Sequence, residues 1–170
     1  MIVRYCPVCY GENPEEASTC RRCGASLVAC SGEDYISKLV WALGHPEPET
    51  RVRAATLLGR LGAAAAPAVS ALRRTYEASH DVHLRAAIAA ACGAIGSADA
   101  LALLVAALQD DSYIVRMAAL EALRALLERG KTLDGRVWAQ VQLLAAGDSS
   151  AGVRETALAL LASCPWLTGT

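Results

Sequence analysis

The chain has no phenylalanine, and aromatic residues make up only 5% of its 170 positions. Rings therefore cannot supply the bulk of a core, and much of the 54% hydrophobic content is alanine and leucine instead. Those residues favour helix and let helices approach closely. The same apolar content excludes an intrinsically disordered chain. An excess of one charge is missing too. The formal net charge is −1 and the isoelectric point about 6.3, so the balance steers toward neither nucleic acid nor anionic lipid. Lysine is scarce, Lys38 and Lys131 being the only two among 16 basic residues, and no function attaches to that bias. The longest apolar stretch, around residues 86–96, is far short of the roughly 18–20 residues that span a bilayer. The opening MIVRYCPVC lacks the charged-then-apolar pattern of a signal peptide. A soluble, cytoplasmic protein with no membrane partner is expected.

Cysteine is what the chain does have. Four of its seven cysteines fall within the first 23 residues as two CxxC pairs, Cys6/Cys9 and Cys20/Cys23, while Cys30, Cys92 and Cys164 stand singly. That split argues for a local metal site, because a disulfide framework would tie distant segments together. Each CxxC places two thiolates on one tight turn, and two such knuckles bring four soft ligands into a tetrahedron with no position left for water. Gly11 and Gly24 follow the knuckles, where the turning backbone is expected to need a positive φ. About twenty residues cannot build a core of their own, so a bound metal must supply most of the folding energy. A redox CxxC would need a flanking strand and helix, for which there is no room. A rubredoxin-like iron site would use similar ligands, and spacing alone does not separate it from zinc. Cys30 reads as a free thiol in a linker.

The stretch CPVCYGENPEEASTCRRCGASLV resembles the short zinc-ribbon family found at the N-termini of many bacterial proteins, whose pattern is CPxCG, a polar spacer, then CxxCGxxL. Tyr10 departs from it where the family usually has glycine. The resemblance covers residues 1–28 and implies one structural Zn²⁺ on Cys6, Cys9, Cys20 and Cys23.

Beyond the linker the sequence repeats. Arg51, Arg85, Arg116 and Arg154 each open an Ala/Leu-rich helix, at intervals of 34, 31 and 38 residues. Glu47, Asp81, Ser112 and Ser150 precede them by four residues and are the expected N-caps, Glu47 being the weak one. Counting forward from each arginine, one helical stripe collects Ala54, Ile88, Ala119 and Ala157, then Leu58, Cys92, Leu123 and Leu161, then Leu61, Ile95, Leu126 and Cys164. Cys92 and Cys164 thereby read as core residues. A second register precedes each arginine: Ile36, Leu39, Val40 and Leu43 recur as Val69, Leu72, Arg73 and Tyr76, as Leu101, Leu104, Val105 and Leu108, and as Val137, Gln140, Val141 and Leu144. Eight helices are predicted, over 33–44, 47–61, 66–78, 81–95, 98–108, 112–129, 134–145 and 150–163. The fold class is all-α, an α-solenoid of about four helix pairs over 33–168 behind the small ribbon.

Blocks such as ETRVRAATLLGRLG and VHLRAAIAAACGAIG resemble the HEAT-like repeats of the phycobilisome-lyase type. The resemblance implies an inter-repeat ladder, carried over to Asp81/Arg85 and Ser112/Arg116, and less closely to Glu47/Arg51 and Ser150/Arg154. It implies a curved stack whose concave surface suits a protein segment. That surface is expected on the helices preceding each arginine, where Trp41, Arg74 and Gln142 fall off the buried stripe with Trp138 at the margin. Edge packing is the competing role for the two tryptophans. The all-apolar run Leu101–Leu108 makes Leu103 and Ala106 candidates for exposure, with burial by central position as the alternative.

The function expected is a non-enzymatic, protein-binding scaffold or adaptor with no small-molecule substrate. A nucleic-acid-associated role would draw on Arg4, Arg21 and Arg22 in the ribbon and on Arg73 and Arg74. Against it stand Glu12, Glu15 and Glu16 and the lack of a recurring basic stripe. His45, His80 and His83 fall in loops without the His-Glu pairs of iron-binding HEAT hydroxylases. A bilin lyase-like subunit is the remote alternative, supported by repeat type alone.

Overall fold

The computed structural model describes residues 3–6, 8–9, 11–14, 16–27 and 35–163. Cys30 and Cys164 lie outside the described residues. The N-terminal unit holds two short antiparallel strands, β1 (Val3–Tyr5) and β2 (Glu12–Pro14), with Arg4 opposite Asn13. An isolated bridge pairs Thr19 with Ser26.

From Tyr35 onward the described chain is helical and forms a solenoid. Eight α-helices follow in order: α1 (Tyr35–Ala42), α2 (Pro48–Arg60), α3 (Val69–Ala78), α4 (Val82–Ile95), α5 (Ala98–Ala107), α6 (Tyr113–Glu128), α7 (Gly135–Gly147) and α8 (Ala151–Ala162). The one substantial shift from the predicted spans is at α3, which starts at Val69 after a 3₁₀ segment, Gly62–Ala68. Gly62, with φ of 56°, ends α2, and Pro67 has no N–H to give to an α-helical ladder. The three-residue period of the 3₁₀ turn then puts Ala65 and Ala68 on one buried face.

The helices form two layers, the arginine helices α2, α4, α6 and α8 in one and α1, α3, α5 and α7 in the other. Both sequence stripes point into the space between them. Ala54, Ile88, Ala119 and Ala157 are buried, as are Leu58, Cys92 and Leu123, while Leu61 and Leu161 are half-buried near the ends of the array. In the other layer Leu39, Leu72, Leu104 and Val141 are buried, and Arg73 and Gln140 are half-buried. Cys92 is free, and burial pushes its thiol up to about 12, so it packs as a neutral group. Leu103 is buried within the central pair, while Ala106 is exposed.

Two glycines set the spacing of the arginine helices. A Cβ on Gly59 would lie 2.9 Å from the Cα of Ala91, and a Cβ on Gly93 would lie 2.9 Å from the Cα of Ala122. No larger residue lets α2 meet α4, or α4 meet α6, at that range. The helices of the other layer touch one another sparsely. We term the closely packed layer of α2, α4, α6 and α8 the inner layer and that of α1, α3, α5 and α7 the outer layer. The partner surface expected from the sequence lies on the outer layer.

The loops hold a ladder, with partners other than those expected. Asp81 caps α4 through the N–H groups of His83 and Leu84, whereas Glu47, Ser112 and Ser150 make no side-chain cap. Arg85 and Arg116 instead reach acids in the loop of the next repeat. Arg85 meets Asp110 at 2.9 Å and Asp111 at 2.6 Å, and Arg116 grips Asp148 with Nε at 2.6 Å and Nη2 at 2.8 Å. The decisive position is therefore six residues before each arginine, occupied by His45, Ser79, Asp110 and Asp148. All four side chains accept the backbone N–H two residues on, at 3.1, 3.1, 2.9 and 2.8 Å respectively. An acid at this place can brace its own loop and bind the neighbouring repeat, and the residue four before the arginine sits too close to its own helix to do both.

Candidate metal centre and binding face

Both CxxC turns are built alike. Cys6 N–H donates to the Gly11 carbonyl at 2.9 Å, and Cys20 N–H donates to the Ala25 carbonyl at 2.8 Å. In each, the N–H two residues past the first cysteine points at its sulfur: Val8 to Cys6 Sγ and Arg22 to Cys20 Sγ, both at 3.4 Å. Gly24 has φ of 73°, as the turn requires. Gly11 is needed for a different reason from the one expected. It is not among the glycines with positive φ, and a Cβ there would press on Arg22 at 3.3 Å and on Cys9 Sγ at 3.4 Å.

The turns face each other and bring the four sulfurs together. Cys6 Sγ lies 3.5 Å from Cys23 Sγ, Cys9 Sγ lies 3.5 Å from Cys20 Sγ, and all four fall within 4.8 Å of one another. A tetrahedron with metal–sulfur bonds of about 2.3 Å has edges of about 3.8 Å, within that spread. Buried Asn13 braces the site: its Nδ2 donates to the Gly11 carbonyl at 2.7 Å and approaches Cys20 Sγ at 3.7 Å, while its Oδ1 accepts Arg21 N–H at 2.9 Å. Nothing in the cysteine spacing announced this residue.

The thiols are unequal without a cation. Burial works against charge on Cys20, but the N–H groups of Cys23 and Arg22 and the neighbouring thiols outweigh it and bring it down to about 6. Burial likewise raises Cys6, and the N–H groups of Cys9 and Val8 carry it below its ordinary value. The Ala25 N–H favours a Cys23 thiolate, yet Cys9, burial and the other two thiols lift it to about 12. Four thiolates this close need a positive ion among them. The donor set and its geometry fit a metal.

The expected partner-binding residues lie on α1, α3 and α7, the outer layer. Arg74 and Gln142 are exposed there, while Trp41 and Trp138 are half-buried. Trp138 packs against the core, and Trp41 meets the edge of His45 with ring centres 6.1 Å apart. The inner layer looks different. Ala90 and Ala94 on α4 floor two shallow grooves, one toward Thr56 and Arg60 on α2 and one toward Glu121 on α6 and Arg129 just past its end. Arg129 closes one end by donating to the carbonyls of Gly93 and Ala94.

The family described as HEAT repeats matches residues 36–124, which covers α1 through most of α6. The chain belongs to the HEAT-repeat family. HEAT repeats serve generally as protein-interaction scaffolds. Among curated proteins none matches the chain. No helix among the described residues is long and apolar enough to cross a membrane.

Proposed function

We propose that this chain is a non-enzymatic scaffold that holds a protein segment against the inner face of its HEAT repeats. One Zn²⁺ would bind Cys6, Cys9, Cys20 and Cys23 in a ribbon over residues 1–28 as a structural ion, with the solenoid over 33–168. Bound there, the metal cross-links the two CxxC turns and neutralises their thiolates; four sulfur ligands leave it no open position for substrate. The observation that carries the reading is the Ala/Gly surface of α2, α4 and α6, which lets a partner backbone approach closely between Arg60 on one side and Glu121 on the other. Exposed substitutions such as Arg74→Ala on the outer layer should then leave binding unchanged.

The test is capture of partners from the native host. Ala90→Arg fills the groove floor from an exposed position and should cut capture at least tenfold while leaving the melting temperature unchanged. Equal capture by Ala90→Arg and wild type would overturn the inner-face reading. Loss of capture with Arg74→Ala, Gln142→Ala or Trp41→Ala instead would return the site to the outer layer. Elemental analysis should find one zinc per chain, and iron would refute that assignment. A salt-sensitive mobility shift with mixed DNA and RNA would redirect the reading toward nucleic acid.

A further inference from the structure

The arginine ladder spans three repeat interfaces, and one of them lacks its acid. Arg85 reaches Asp110 at 2.9 Å between the second and third repeats, and Arg116 reaches Asp148 at 2.6 Å between the third and fourth. The residue at the same place between the first and second repeats is Ser79. Its hydroxyl keeps the local task, accepting the Asp81 N–H at 3.1 Å, but it offers no charge to Arg51. Among the described residues no ion pair reaches Arg51, and its Nε is buried with no hydrogen-bond partner. Arg85 also has an unpaired Nε, yet its Nη groups hold Asp110, Asp111 and the Ser79 carbonyl. Arg51 has no such acid.

A guanidinium cannot shed its charge, so one left half-buried without a counter-charge is costly. We propose that Arg51, together with the Ser79 loop, binds an oxyanion, a carboxylate or phosphate group that takes the place filled by Asp110 and Asp148 in the next two interfaces. The guanidinium fork matches the paired oxygens of either group, and the Ser79 hydroxyl hydrogen remains available to donate to a third. The site lies among the interhelix loops, away from the inner groove. It is thus independent of the scaffold reading, and either one can fail alone.

The experiment follows thermal unfolding of the full chain in rising inorganic phosphate or acetate, against chloride at matched ionic strength. Phosphate tests the tetrahedral group and acetate the carboxylate. One or both should raise the wild-type midpoint saturably, where chloride does not. Ser79→Asp supplies the missing acid, so its midpoint should be higher without added anion and its anion affinity at least tenfold weaker. Arg51→Gln should lose the response. If Arg51→Gln fails to fold, Ser79→Asp decides the matter, because it removes nothing from the core. A wild-type midpoint indifferent to both anions, or a Ser79→Asp variant that responds as wild type does, overturns the proposal.

Discussion

The N-terminal unit buries Cys6, Cys20 and Leu27, with Cys9, Ala17 and Ala25 against them; the helical stack buries a continuous core from Leu39 to Leu160. The two clusters share no residue. Three buried side chains, two of them cysteines, contribute less than about 10 kcal/mol at roughly 1.5–3 kcal/mol each. That is too little to offset the chain entropy of twenty-odd residues, at roughly 1–2 kcal/mol per residue for the backbone alone. The stack meets the same cost with repeated layers of alanine and leucine. One region needs a single strong point of attachment, and the other needs many weak ones.

That contrast can be broken most decisively by removing the attachment point. A strong chelator, or Cys20→Ser, should unfold the ribbon entirely while helical circular dichroism and the main melting transition persist. If the helices melt together with the ribbon, the two cores are coupled and the comparison fails. Within the stack, Leu123→Ala should destabilise by about 2–5 kcal/mol in a denaturant titration, since this fully buried side chain leaves a cavity. A smaller loss than in any ordinary core would mean that the thin, alanine-rich layers collapse to fill the space.

The ladder gives the next effect. Asp148→Asn should cost about 1–3 kcal/mol at neutral pH by leaving the buried Arg116 guanidinium without its carboxylate. Its pH dependence has a definite sign. The Arg116 hydrogen bonds hold Asp148 below the usual carboxylate range, so its stabilisation is complete above the ordinary value of about 3.9. It is lost as pH falls through the lower folded value. Wild type should therefore lose more stability than Asp148→Asn on acidification below about pH 4, and parallel acid profiles would deny the ion pair its role. Smallest of all, Arg74→Ala and Gln142→Ala on the exposed outer layer should stay within about 0.5 kcal/mol of wild type.

The two regions also differed in how far they could be read in advance. The four N-terminal cysteines are local, two to a turn, and their spacing by itself brings them together. Asn13 escaped notice because its partners, the Gly11 carbonyl, Arg21 N–H and Cys20 Sγ, meet only after the second turn folds onto the first. In the stack, all-α class and helix spans were legible because a period of 3.6 residues writes the buried face directly into the sequence. The tightness of the arginine layer was not legible, because that period tells which side of a helix is buried and nothing of which layer packs more closely.

What the sequence determined by itself is thus whatever depends on neighbours along the chain: the paired thiols of Cys6/Cys9 and Cys20/Cys23, the cap at Asp81, and the stripes through Leu58 and Leu123. Tertiary structure decided whatever depends on distance between repeats. It set the close approach of α2, α4 and α6, Gly59 against Ala91 and Gly93 against Ala122, because a missing Cβ has meaning only once a second helix arrives. It also chose Asp110 for Arg85 and Asp148 for Arg116 over the nearer Asp81 and Ser112. The nearer residues lie at the start of the arginine's own helix, and only the stacked loop of the next repeat brings a carboxylate to the guanidinium.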